Sequence, residues 1–287
     1  MGIDWSGRRG WYHKGIQIAE SLKNDPHPNL RYPNDGSKSW SRSAVVKYIR
    51  SLKDSPTLVE IDFAFSLPKP FPVAGLKNPR QLWDLIDDLC WAATDDDVRE
   101  YYAGPVWLSE ESPFPPYVRY ADYRGPQFDG KLLRHTERAS KPRTTSVYKL
   151  MYSQVGRGSF AGKRMLRSLY VGNEIAIWLF DEIDFSKSVV VEVYPSRFYA
   201  MADRKRPNPE KQTREAVDSV VNEVLRYLNV TCGYEKPGSQ DEIDAFITAA
   251  AIACLTRQLS VFSVPSHLQA VVAKDGWILG VHFGGAA

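Results

Sequence analysis

The sequence predicts an α/β chain: a mixed five-stranded sheet flanked by helices, with a large, mainly irregular and helical insertion over approximately residues 68–173. Three observations predict it. Short apolar runs ending on an acid recur at Gly2-Ile3-Asp4, Val59-Glu60-Ile61-Asp62 and Val189-Val190-Val191-Glu192, as expected of strands buried on both faces. Helically spaced apolar stripes lie between and after them, at Val45, Val46, Ile49, Leu52 and again at Leu82, Leu85, Ile86, Leu89. The resulting order, β-β-(β)-α-β, insertion, then β-α-α, suits a sheet whose first three strands are antiparallel and whose later strands are parallel. No internal repeat interrupts it, and the chain reads as one domain, 1–287.

In order, Gly2-Ile3-Asp4 closes a first strand, and Tyr12 to Ala19 alternates as a second. A Pro/Asn-rich loop, with a short strand around Leu30, leads to a helix capped by Ser41 or Ser43 and running to Leu52. Thr57 to Phe63 is a strand. The Pro-rich stretch Pro68 to Gly75 breaks regular structure, and Pro79 to Ala93 resumes it as a helix. Residues 105–142 carry Pro, Tyr and Gly without periodicity. Ser146 to Tyr152 and Ala161 to Tyr170 read as helices, and Glu174 to Phe180 and Val189 to Tyr194 as strands. Asn208 to Leu228 and the Ala-rich Gln240 to Gln258 are helices; Gly276 to Leu279 is a candidate last strand.

Composition excludes some function classes. No run approaches the ~20 apolar residues of a membrane span, and the N-terminus lacks a secretory signal. Cys90, Cys232 and Cys254 are far apart, which suits buried thiols and a cytoplasmic setting better than a disulfide framework. HExxH and clustered His/Cys patterns are missing, which argues against zinc. The net charge of +3 is small, but its distribution is uneven. Between Gln81 and Asp129 eleven acids face three bases, whereas Lys131 to Arg167 holds ten bases and Glu137 alone to oppose them. The basic stretch suits a phosphate backbone, through Arg134, Arg138, Arg143, Arg157, Lys163 and Arg164, or a face paired with the acidic stretch. His135 is a candidate phosphate contact or proton shuttle within it. Tyr101, Tyr102, Trp107, Tyr117, Tyr120 and Tyr123 suit either base stacking or packing of the insertion.

The acids carry the chemistry. Asp4 and Asp62 stand at strand ends, and Glu60 shares a strand face with Asp62. Asp241 and Asp244, three apart in the last long helix, can point one way. Carboxylates gathered from distant segments repel one another unless a cation joins them. Mg²⁺ or Mn²⁺, which prefer hard oxygen ligands, are the expected cofactors, with Asp4, Asp62 and Asp244 as metal and catalytic acids. Glu60, Glu192 and Asp241 are additional candidates. Asp241 equally suits a helix first turn, and Glu192 a buried ion pair with Arg197 or a basic residue of the insertion.

Together these segments resemble the predicted RNase H-like nucleases grouped as "domain of unknown function 429". The resemblance rests on Gly2-Ile3-Asp4, Val59 to Pro68, Val191 to Ser196, Asp241 to Phe246 and Gly276-Trp277-Ile278, in that order. Arg134-His135-Thr136-Glu137 and Gln154-Val155-Gly156 also look like its middle segments. It implies an RNase H-like fold and a divalent-metal nuclease with Asp4, Asp62 and Asp244 as active-site acids. The pair Asp241, Asp244 is also similar to the helix pair of Holliday-junction resolvases. The chain departs from those where it offers Asp62 in place of a glutamate, unless Glu60 takes that role. The expected partner is nucleic acid, DNA or RNA. Two other functions fit the sequence: a non-catalytic nucleic-acid-binding or scaffold protein of the same fold, and an ATP-using phosphotransferase of the wider fold group.

Overall fold

A computed structural model describes residues 1–6, 13–22, 25–92, 100–115, 118, 132–142, 144–148, 150, 155–172, 175–230, 237–257 and 259–281. Its centre is a mixed sheet of six strands: β1 (Gly2–Asp4), β2 (Gln17–Leu22), β3 (Asp25–Arg31), β4 (Leu58–Ile61), β5 (Ala176–Ile177) and β6 (Val189–Glu192). Their order is β3-β2-β1-β4-β6-β5. The first three strands are antiparallel neighbours, and β1, β4, β6 and β5 run parallel. The expected α/β class and mixed sheet are present, with one strand more than the five expected. The sixth arises because the segments after Glu174 and Val189 both pair, the former through two residues alone. Ile177 is then turned by its amide bonding to the Asp181 carboxylate at 2.8 Å.

Two helical layers cover the sheet. On one face lie α6 (Pro195–Met201), α7 (Arg214–Tyr227) and α8 (Gln240–Leu255); on the other lie α1 (Arg42–Ser51) and α5 (Val155–Val171). α2 (Pro79–Ala92) packs outside α5, and short helices α3 (Pro105–Leu108), α4 (His135–Ala139) and α9 (Gln269–Asp275) complete the described elements. Strand alternation allocates the faces. Ile3, Val59 and Ile61 meet Met165, Leu166 and Leu169 of α5, while Val191 and Val193 meet the α8 side. The segment 68–173 therefore supplies, through α5, part of the core layer that it shares with α1. That helix begins six residues before the predicted Ala161. Gly156 and Gly158 are buried within its first turn.

Close packing sets the register between α8 and the sheet. A Cβ on Gly2 would stand 2.5 Å from the Ala245 carbonyl oxygen and 2.7 Å from the Ala249 nitrogen. Only glycine admits the helix backbone this near to β1. A capping box, Ser239 with Glu242, starts α8 at a fixed residue. The first turn of α8 is thereby held over the carboxyl ends of β1 and β4.

Other differences are local. The predicted second strand begins at Gln17, its first predicted residue, Tyr12, lying outside the described residues. The helix expected from Asn208 starts only after the Thr213 cap, because Asn208 to Gln212 close a turn on their own side chains. The described part of Ser146 to Tyr152 is turn rather than helix. Gly276 to Leu279 contributes one parallel bridge, Ile278 to Glu192, and no strand. Among the described residues no single helix is long and apolar enough to cross a membrane.

Candidate functional site

Ile3 pairs with Ile61 in parallel register, and the Asp62 amide donates to the Ile3 carbonyl at 3.1 Å. Asp4 and Asp62, one residue further along, are therefore neighbours at the same end of adjacent strands. Parity puts both on the α8 face. The first turns of α8 add Asp241 and Asp244. All four acids line one polar cleft of about 640 Å³, together with Trp5, Lys14, Tyr194 and Arg206.

Burial raises the Asp4 pKa well above the ordinary value, and the charges of Asp244, Asp62 and Asp241 raise it further; Arg206 opposes them. Asp62 moves from the ordinary 3.8 to about 7, through burial first and then Asp244, with Arg206 again opposing and Glu192 adding to the rise. Asp244 is also raised by burial, held back by Arg206, Tyr199 and Gln240. Its Oδ1 accepts hydrogen bonds from the Tyr199 hydroxyl and the Gln240 amide, each at 3.0 Å, and its Oδ2 is paired with Arg206. No hydrogen bond from another described residue reaches the Asp4 or Asp62 carboxylate.

A proton leaves Asp62 in the unfolded chain near 3.8 and in the folded chain near 7. The stability this site contributes is complete below the lower value and is lost as pH rises through the upper one. Urea midpoints of the metal-free protein should therefore fall between about pH 4 and pH 7, and Asp62→Asn should flatten that slope. Parallel curves for the two proteins would contradict the assigned burial.

Several candidate residues are placed elsewhere. Glu60 does share the Asp62 face but lies deeper, opposite Gly2. It is fully buried, its carboxylate oxygens have no hydrogen-bond partner among the described residues, and burial raises its pKa well above normal. Glu60 thus lies buried beside Gly2 and does not line the cleft. Glu192 reaches the cleft floor but is held by both Arg134 Nη atoms and by the Phe65 amide at 3.0 Å. The ion-pair reading of Glu192, with a basic residue of the insertion, is the one the structure contains. Its oxygens are both occupied by Arg134 and the Phe65 amide.

The expected phosphate-binding set is corrected in the same way. Arg134, Lys163 and Arg164 are buried and serve internal partners. Arg134 sits between Glu137 and Glu192, whose charges raise its pKa although burial works against it. Lys163 donates to the Ala64 carbonyl at 2.6 Å, and burial, with Arg134 nearby, pushes its pKa well below that of a free lysine. Arg164 bonds Asp87 and the Tyr102 carbonyl, each at 2.8 Å. Arg167 joins Asp84 and Asp87. Arg164 and Arg167 thus pair with acids of the acidic stretch, while Arg134 pairs with Glu137 and Glu192 outside it. His135, Arg138 and Arg157 are not cleft-lining residues, and Arg143 lies outside the described residues. Of the aromatic residues, Tyr101 bonds Ser168, and Tyr102, Trp107 and Phe160 form edge contacts, so these pack the insertion. Tyr117, Tyr120 and Tyr123 are outside the described residues, as is Cys232.

Arg206, Lys14, Tyr199 and Gln240 were not singled out by sequence reasoning. The run Arg204-Lys205-Arg206 is a signal that could have drawn attention to the first. As they stand, no three Asp, Glu, His or Cys side chains among the described residues form a ready-made metal cage. Compared with known proteins, the chain matches no family model, no curated protein and no solved structure. Its function therefore has to be argued from the cleft itself.

Proposed function

We propose that this chain is an RNase H-like, divalent-metal-dependent nuclease, in keeping with its resemblance to the predicted nucleases of domain of unknown function 429. The sheet order, three antiparallel strands followed by parallel ones, supports the fold assignment. The observation that carries the function is the gathering of Asp4, Asp62 and Asp244 at one cleft end, each with a raised pKa and two without hydrogen-bond donors. A fold gains nothing from bringing such groups together. A hard divalent cation is what their oxygen chemistry suits.

Asp4 and Asp62 would hold Mg²⁺ or Mn²⁺ from the strand ends and Asp244 from the helix. The donor chemistry fits; the arrangement needs Arg206 to release Asp244 first. When bound, divalent ions supply charge neutralisation and an activated water for phosphodiester hydrolysis. Tyr199 and Gln240 fix the orientation of Asp244 through its Oδ1. Lys14 and Arg206 line the cleft and would hold the non-bridging oxygens of the substrate. Glu192, sealed by Arg134, keeps the floor rigid. The overall reaction adds water across one P–O bond and leaves a phosphate monoester and a free hydroxyl.

Incubation with single-stranded, duplex and branched DNA and with RNA, each with Mg²⁺, Mn²⁺ or EDTA, tests the proposal. Cleavage of at least one substrate that EDTA abolishes is expected; no cleavage of any with either metal would contradict it. One observation favours a second reading, a non-catalytic nucleic-acid-binding or scaffold protein: Asp244 is already satisfied by three donors without a metal. Salt-sensitive binding with no turnover would select it.

A further inference from the structure

Asp244 has two differently held oxygens. Oδ1 accepts from Tyr199, which is fully buried on α6, and from Gln240 on its own helix. Oδ2 is held by Arg206. The Arg206 side chain is 43% exposed while that of Asp244 is 1% exposed. Arg206 belongs to the connection between α6 and α7 rather than to either helix. One oxygen is thus fixed by the scaffold, and the other by a cation at the cleft mouth with an open route to water. The Arg134–Glu192 pair, at 1% and 3% exposure, has no such route.

Arg206 also lines the same cleft as Asp4 and Asp62, and its charge opposes the rise of both. It is an internal counter-cation for the whole cluster. A divalent ion on Asp244 Oδ2 and a guanidinium on the same oxygen exclude each other, by occupancy and by like-charge repulsion. Returning a half-exposed guanidinium to water costs little compared with stripping a buried one.

We propose that Arg206 is a built-in competitor for the divalent cation: it holds Asp244 until the ion arrives, then turns away from Asp244 to meet an anionic substrate. The proposal rests on the metal-dependent reading above. It also gives a physical reason why the acids do not stand as a finished cage: one of them is turned to its arginine.

Mn²⁺ affinity, measured by titration calorimetry at pH 8 and low ionic strength, tests it without reference to activity. Arg206→Gln should bind Mn²⁺ about tenfold more tightly than the wild-type protein, the scale of one charge-assisted hydrogen bond. Arg206→Lys, which keeps the charge, should stay near wild type. Adding Asp244→Asn to Arg206→Gln should abolish the gain. Equal or weaker Mn²⁺ binding by Arg206→Gln, with binding measurable in both proteins, would overturn the competition while leaving the metal reading standing. No Mn²⁺ binding by any of the variants or the wild type would overturn both.

Discussion

Asp4→Asn should abolish metal-dependent cleavage, lowering kcat by about 10³-fold or more, and should leave the protein at least as stable as before. The first expectation follows from the position of Asp4 between Asp62 and the acids of α8. Withdrawing one ligand from a shared cation removes several kcal/mol of transition-state stabilisation, and each ~1.4 kcal/mol is about tenfold in rate. The second follows from charge. Burial and three neighbouring acids disfavour the Asp4 carboxylate, and Arg206 acts against them. An asparagine of the same shape removes a repulsion and leaves no partner orphaned, since no described residue donates to Asp4. Thermal melts without metal should therefore match or exceed wild type at pH 8, and the melting shift produced by Mn²⁺ should shrink. Full cleavage by a clean Asp4→Asn preparation, or a collapse of its metal-free stability, would contradict this placement.

The largest stability loss is expected at a different residue. Arg134→Met should cost about 3–5 kcal/mol, because it leaves two buried carboxylates without their cation. Arg134 bonds Glu137 through Nε at 2.9 Å and Glu192 through both Nη atoms. It also reaches the Asp275 carbonyl at 3.2 Å. These contacts tie α4, β6 and the end of α9 into one unit beneath the cleft. Arg134→Lys retains the charge but not the planar fork, and should recover part of the loss. Replacing Arg134, Glu137 and Glu192 together by Met, Gln and Gln should recover more, since no uncompensated charge remains. Urea unfolding measures all three. A loss below about 1 kcal/mol for Arg134→Met would show that the pair is not sealed from solvent as its burial indicates.

The parts of this fold that sequence revealed are those governed by local rules. The strand ends at Asp4 and Asp62 were visible because an apolar run stops at a carboxylate. The start of α8 was visible because Asp241 suits a helix first turn, and the faces of Asp241 and Asp244 follow from helix geometry alone. Parity correctly put Glu60 and Asp62 on one face. It could not tell that Gly2 lets α8 settle so closely that Glu60 is covered while Asp62 is left at the edge. The basic stretch misled for a related reason. Charge clustering looks the same whether a side chain faces solvent or a buried partner, and Glu192, Ala64 and Asp87, which hold Arg134, Lys163 and Arg164, lie too far along the chain for a local pattern to record. Arg206 was missed because its importance comes from the turn after α6 returning over the cleft, a tertiary effect. β5 was overextended because the Asp181 turn that ends it is set by a side-chain hydrogen bond and not by a breaker residue.

Asp4, Asp62 and Asp244 are proposed to share a divalent cation. Anomalous diffraction from a crystal of the wild-type protein soaked in Mn²⁺ tests it most directly. One or two Mn²⁺ peaks are expected within about 2.0–2.6 Å of oxygens from Asp4, Asp62 and Asp244, with Arg206 withdrawn from Asp244. A fully soaked crystal with no peak at these three carboxylates, and with Arg206 still paired to Asp244, would contradict it.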